Sequence, residues 1–346
     1  MKINEAVARV KNGPSDSELH LRAQNQRLTK QLKAFHKDRG KYVEMIEDLK
    51  TAVVACPPFP RRELAEHNPT NAVMGAVLKV SDWQIGEVIN PRETEGFGKF
   101  NYAIARRRVF QLTEKVIDWV KMHRKSGFDI PDLHIFSEAD LVSGNIHYEL
   151  EVTNEFPVTD AAAKAGLLFG EMVAQFAPHF TKVHLWEMNA DNHGRLTRKS
   201  QAKQGAINNY SYLAHIIGNQ YLHAHDNIEI HMSEGVKLLA NVVGKKFLIS
   251  HGHEVMGVMG IPYYGMERSR AREAVKRTHT NKGFDYMSIG HWHVPAIIGR
   301  NILVNGSLPG TTEYDHMAGR HCAPAQVFFM VHPKYGLFNW TAWTLD

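Results

Sequence analysis

Five apolar runs in this chain each lead to a side chain able to bind a metal ion, and no other feature narrows the possible fold so far. AVMGAVLKV leads to Asp82, LHIF to Asp140, KVHLWEM to Asn192, KKFLIS to His251 and DYMSIG to His291. Helical spacing fills the gaps at 100–123, 158–176 and 206–221, the last followed by a short strand, NIEIHM. Alternating strands and helices predict an α/β sandwich. Ligands of open α/β sheets gather at the carboxyl ends of strands, so these distant side chains are expected to meet along one edge. A lone strand-end Asp or His is more often a cap. Five in register, closing on Gly290-His291-Trp292-His293, point to a metal centre.

Residues 1–55 read differently. Leu21, Leu28, Phe35, Tyr42 and Leu49 recur every seven residues, with Asn25, Leu32, Arg39, Ile46 and Val53 as the companion series. This is the d and a pattern of a coiled coil, and it predicts a helical extension able to join two chains as a homodimer through residues 15–55. Two other forms stay open: a hairpin broken at Arg39-Gly40, and a helix lying on its own catalytic domain. Residues 56–71 carry four of the 14 prolines and read as a linker, leaving 72–346 as the catalytic domain.

The strand-end residues resemble, in order, the motifs of the calcineurin-like metallophosphoesterase superfamily: D-x-H, G-D, G-N-H-[DE], a lone strand-end His, and G-H-x-H. The corresponding stretches are Asp82-Trp83-Gln84, Ala139-Asp140, Asp191-Asn192-His193-Gly194, His251-Gly252-His253 and Gly290-His291-Trp292-His293. SGNIHYELEVTNEFP, NHGRLTRK, YYGMERSRAR and NGSLPGTTEY are similar to a phage or bacterial branch that includes repair nucleases. The resemblance implies a metallophosphoesterase-type sandwich flanked by helices, with two divalent metal ions bridged by Asp140. Asp82, Gln84 and His293 would hold one ion, and Asn192, His251 and His291 the other. His251, directly after its apolar run, is preferred to His253. His193 would face the phosphate and protonate the leaving oxygen, with Asn192 beside it and His147 contacting substrate.

Four departures bear on metal and activity. Gln84 stands where the family has His, which favours Mn²⁺, with Mg²⁺, Fe²⁺ and Zn²⁺ as alternatives. Ala139 and Asp191 replace glycines, and the charge of Asp191 is expected to repel a phosphate. Gly194 replaces the acid expected to orient His193. Glu138, two residues before Asp140, is expected on the same side of its strand, as a carboxylate behind the ligands or a cap. Trp83 and Trp292 are expected to pack around the site.

Substrate is read from charge. GRLTRKSQAKQ, directly after His193, carries Arg195, Arg198, Lys199 and Lys203 and no acid, which suits a phosphate or a nucleic-acid backbone. Arg268, Arg272 and Lys276 share a helical face behind Tyr263 and Tyr264, whose rings could stack on bases. ARRRVF, 105–110, reads as surface. The net charge of +5 agrees with a polyanionic partner. The expected activity is therefore metal-dependent hydrolysis of nucleic-acid phosphodiesters. Its alternatives are a nucleic-acid-binding or assembly protein with a partly decayed metal site, and a phosphomonoesterase or protein phosphatase. Two cysteines exclude a disulfide framework. The N-terminus shows no signal-peptide core and no run is long enough to span a membrane, so a cytoplasmic location is expected.

Overall fold

Strand β1 (Val73–Val80) is buried at every position but the first, as a central parallel strand covered on both faces must be. In the computed structural model, which describes residues 15–55, 72–200, 202–257 and 262–346, it sits inside a six-stranded sheet. The other members are β2 (Asp129–Ser137), β3 (Lys182–Glu187), β4 (Ile228–Met232), β10 (Ala325–His332) and β11 (Gly336–Thr344), in the order β11-β10-β1-β2-β3-β4. Strands β1 to β4 run parallel; β10 and β11 close the other edge antiparallel. A second sheet has the order β5-β6-β7-β9-β8, from β5 (Leu238–Val242), β6 (Lys245–Ser250), β7 (Tyr286–Ile289), β8 (Ala296–Ile298) and β9 (Ile302–Val304).

Val77, Phe136, Phe247, Ile249, Leu303 and Phe329 pack between the sheets. The outer face of the first sheet is covered by α2 (Tyr102–Lys125), α4 (Val158–Phe176) and α5 (Tyr210–Leu222). Met266 of α6 (Tyr263–Arg277) packs against the second sheet. Two short helices, α3 (Tyr148–Thr153) and α7 (Glu313–Met317), lie in loops. This is the two-sheet α/β sandwich flanked by helices that the alternation of strands and helices predicts.

Lys79 fastens the sheets from within. Its buried ammonium donates to Ile289 O at 3.1 Å and Leu303 O at 2.7 Å, and lies 3.3 Å from Glu138 Oε2. Glu138, whose Oε1 accepts from Ser288 Oγ, thus points between the sheets to a lysine, neither capping nor lining the metal cluster. Burial pushes the Glu138 carboxyl up to about 7 and the Lys79 ammonium down to about 8. ARRRVF also differs from its expected surface role. Arg108 is buried and donates to Leu308 O and Pro309 O, holding the NGSLPG loop.

The chain divides into two compact units, Met1–Asn68 and Pro69–Asp346. In the first, α1 (Asp16–Ala55) is one continuous helix through Gly40, which replaces the hairpin alternative. Leu21, Leu28, Phe35 and Tyr42 stand 54–64% exposed. The expected linker, 56–71, lies outside the described residues, as do the side chains of Leu49 and Val53.

Candidate metal centre

The loops after β1 and β2 are bonded to each other before any ligand is considered. Asp82 N donates to Ala139 O at 3.1 Å, Gln84 N to Asp140 O at 3.1 Å and Ile85 N to Leu141 O at 3.0 Å. These bonds hold both loops in the left-handed backbone region: φ is 52° at Asp82, 50° at Gln84, 69° at Ala139 and 50° at Asp140, with 67° at His291 and 58° at His293. Side chains other than glycine rarely adopt this region, at a cost of about 1–3 kcal/mol each, and such residues cluster at functional sites. At Gly290 a β-carbon would lie 2.6 Å from Asp82 Oδ2, so only glycine lets the last motif approach the first.

The approach brings the strand-end side chains together. Asp140, His251 and His291 offer ligand atoms within 4.8 Å of one another. His251 Nδ1 lies 2.8 Å from Glu138 O, which turns Nε2 inward, 3.0 Å from both Asp140 Oδ2 and Asn192 Oδ1. A ring N–H given to a backbone carbonyl fixes the tautomer of a ligating histidine. Asp82 Oδ1 lies 3.3 Å from His293 Nε2, and its carboxylate accepts from His291 N at 3.0 and 3.2 Å. Gln84 donates through Nε2 to Asp140 Oδ2 at 3.3 Å, while its buried Oε1 has no hydrogen-bond partner among the described residues. His253 stands outside the cluster, its ring 5.6 Å from that of His251.

Electrostatics describe a place for cations. Burial alone would raise the Asp140 and Asp82 carboxyls, but the neighbouring histidines, His251 and His193 for the first and His293 for the second, hold both below the usual carboxylate range. Burial opposes charge on His251, yet Asp140, Asp82 and Asp191 push it up to about 10. His291 is pushed down to about 3 by burial and by His251. The buried carboxylates and His251 thus favour charge on one another, as a metal would favour it on the carboxylates. This charge pattern, the orphaned Gln84 oxygen and the mixed O/N donor set fit divalent ions.

The third loop corrects two expectations. Asp191 has its carboxylate satisfied within the protein: it accepts from Asp140 N at 2.8 Å, Gly194 N at 2.8 Å, Asn209 Nδ2 at 2.7 Å and Ser211 Oγ at 2.5 Å. It ties the second and third loops to the start of α5, and burial, with Asp140, raises it to about 6. At Gly194 a β-carbon would lie 2.2 Å from Asn209 Oδ1, so the tight cradle of Asp191 leaves no room for the acid expected there. His193 is oriented instead by Ser143 O, 2.8 Å from its Nδ1, and its backbone N donates to Asp140 Oδ1 at 3.1 Å.

The structure places His147 beside His193, with ring centroids 6.4 Å apart. Arg195 spends its guanidinium on its own loop, donating to Thr197 O and Arg198 O, and lines a cavity of about 210 Å³ with Asp191, Thr197 and His253. Arg198 is exposed and lies 3.4 Å from Glu151. Trp83 is fully buried, and Trp292 packs edge-on to His291.

Several supporting residues escaped the sequence reading. Asn305 Nδ2 donates to Ser81 Oγ, which donates to Asp82 Oδ2; Leu308 N donates to Asp82 O, and Gln326 Nε2 to Ser81 O. NGSLPG, which the sequence reading singled out as part of a resemblance but gave no role, thus orients Asp82.

No family model matches the chain, and no curated protein matches it. Among solved structures it is similar to a predicted phosphoesterase from Streptococcus pneumoniae, at 11% identity and a TM-score of 0.27, covering 52% of this chain and 90% of that one. It is similar to Vps29 complexed with zinc from Entamoeba histolytica, at 11% identity and 0.27, covering 78% and 99%. Vacuolar Protein Sorting 29 from Cryptosporidium parvum gives 10% identity and 0.30, covering 79% and 99%. At such identities and scores, function has to be argued from the chain's own residues.

Proposed function

We propose that this chain hydrolyses phosphate esters, phosphodiesters of nucleic acid foremost, with two divalent metal ions held by Asp82, Gln84, Asp140, Asn192, His251, His291 and His293. The observation that carries the reading is the convergence of five strand-end loops on Asp140, with left-handed backbone at Asp82, Gln84, Asp140, His291 and His293. Asp140 and His251 define one half of the cluster and Asp82 and His293 the other. The ions, when bound, neutralise the phosphate and generate a nucleophile from water at neutral pH.

The rest falls to side chains. His193, with Nδ1 on Ser143 O, has Nε2 left to give a proton to the leaving oxygen. His147 lies beside it, and the following loop carries the exposed Arg198, Lys199 and Lys203, suited to a polyanionic backbone. Tyr263 and Tyr264, 53% and 65% exposed at the start of α6, offer faces for bases. A decayed site drew its case from Gln84, Asp191 and Gly194, and the last two have structural roles that a working site also needs. Hydrolysis of bis-p-nitrophenyl phosphate, p-nitrophenyl phosphate and labelled DNA with Mn²⁺ tests the reading. Turnover of the diester and the DNA above the monoester is expected; no Mn²⁺-dependent turnover of any of them would overturn it.

Gln84 sets the metal preference in this reading. Imidazole binds Zn²⁺ better than an amide oxygen does, so Gln84→His is expected to shift selectivity from Mn²⁺ toward Zn²⁺. Competitive titration measures it, and an unchanged preference would remove Gln84 from the ligands.

The same reading pairs two chains through α1, because a lone helix leaves its heptad stripe in water. Light scattering of the full chain at micromolar concentration is expected to give about twice 39.2 kDa. Leu28→Glu with Phe35→Glu should halve that mass. A wild-type chain running as a monomer contradicts the pairing.

A further inference from the structure

A second group of donors lies on the face of the first sheet, sharing no residue with the strand-end cluster. Parallel pairing sets His134 beside His184, His184 beside Glu229, and Trp186 beside His231. Partners in register point to one face of a sheet, so three histidines, a tryptophan and a glutamate cover neighbouring positions on β2, β3 and the edge strand β4. His184, His231 and Glu229 each offer one ligand atom, and these lie within 4.8 Å of one another.

Two details distinguish this group from a chance meeting of surface side chains. Both inward nitrogens, His184 Nδ1 and His231 Nε2, are shielded from solvent and have no hydrogen-bond partner among the described residues. Glu229 Oε2 sits 3.1 Å from the first and 4.0 Å from the second, without the alignment of a hydrogen bond. Buried polar atoms ordinarily find a partner; here two aim at one carboxylate oxygen and stop short. Metal–ligand bonds of about 2.0–2.2 Å in a tetrahedron set ligands roughly 3.3 Å apart, a spacing that small side-chain rotations reach from here.

The rings are also held in place. His134 stacks on His184 with centroids 4.5 Å apart and planes 10° apart, and Trp186 stacks on His231 at 4.0 Å and 13°. Trp186 Nε1 donates to His134 Nδ1 at 3.1 Å, linking the two stacks. Lys182 pairs with Glu229 Oε1, so the other carboxylate oxygen is the one turned to the histidines. The side chains of His184, His231 and Glu229 are 15%, 35% and 42% exposed, so the group lies near the protein surface.

We infer that His184, Glu229 and His231 form a second metal site, one that takes Zn²⁺ or a similar borderline divalent ion and leaves a fourth position to water. Two imidazoles and one carboxylate are a donor set suited to Zn²⁺, Cu²⁺ and Ni²⁺, whereas Mg²⁺ and Mn²⁺ prefer oxygen. The inference does not depend on the proposed hydrolysis.

The test counts ions in the full-length protein saturated with Zn²⁺, by elemental analysis and by competition with a chromophoric chelator. His231→Ala and Glu229→Gln, both at accessible positions, are each expected to bind one ion fewer than the wild type, with unchanged far-UV circular dichroism. In the Asp140→Ala protein one saturable Zn²⁺ should remain, and adding His231→Ala should remove it, which separates this site from the strand-end cluster. Retention of the full Zn²⁺ complement by either single variant overturns the inference.

Discussion

Asp140→Ala is expected to empty the strand-end cluster of metal and to abolish the proposed phosphodiester hydrolysis. The reason is geometric: Asp140 Oδ2 lies 3.0 Å from His251 Nε2 and 3.3 Å from Gln84 Nε2, reaching toward the donors of both proposed ions. A bridging carboxylate serves two ions at once, so its loss costs both. His293→Ala, by contrast, removes a donor that pairs with Asp82 and should spare most of the ion on the His251 side. Elemental analysis of the Mn²⁺-loaded proteins checks this; equal losses in the two variants would contradict the assignment of ligands to ions. The second site, if filled with Zn²⁺, is left out of that comparison by loading with Mn²⁺ alone.

His193→Ala is expected to lower turnover of a DNA phosphodiester by about 10²–10⁴-fold, the usual worth of a positioned general acid, with metal content unchanged. The loss should shrink with p-nitrophenolate as leaving group, which departs without a proton. The two substrates compared in steady-state kinetics measure the difference. An equal loss on both would make His193 a phosphate contact and no acid. Its Nδ1 on Ser143 O predicts that the ring keeps its orientation without a carboxylate partner, so Gly194 should not be read as a lesion.

Residues that end an apolar run were legible, because burial of the run and exposure of its end leave a mark in local composition. Asp82, Asp140, Asn192, His251 and His291 were singled out that way as candidate ligands, and α4 follows the helical spacing from Val158 to Phe176. Residues whose role depends on partners far along the chain were not. Asp191 looked like a charge at the site because its partners Asn209 and Ser211 lie 18 and 20 positions away. Glu138 was read as a carboxylate behind the ligands or a cap because Lys79, on another strand, gives no local sign of reaching it. Arg108 sits in a run of basic residues that reads as solvent-facing, yet the helix turns it alone toward Leu308 O and Pro309 O. Gly40 suggested a break, but one glycine costs a helix interior only about 1 kcal/mol, too little to end α1.

The two-ion centre is tested most directly by anomalous diffraction from crystals of the full chain grown with Mn²⁺. The predicted map has two peaks about 3.5–4 Å apart, with Asp140 between them, one beside Asp82 and His293 and the other beside Asn192, His251 and His291. A single peak, or peaks away from Asp140, would contradict the account.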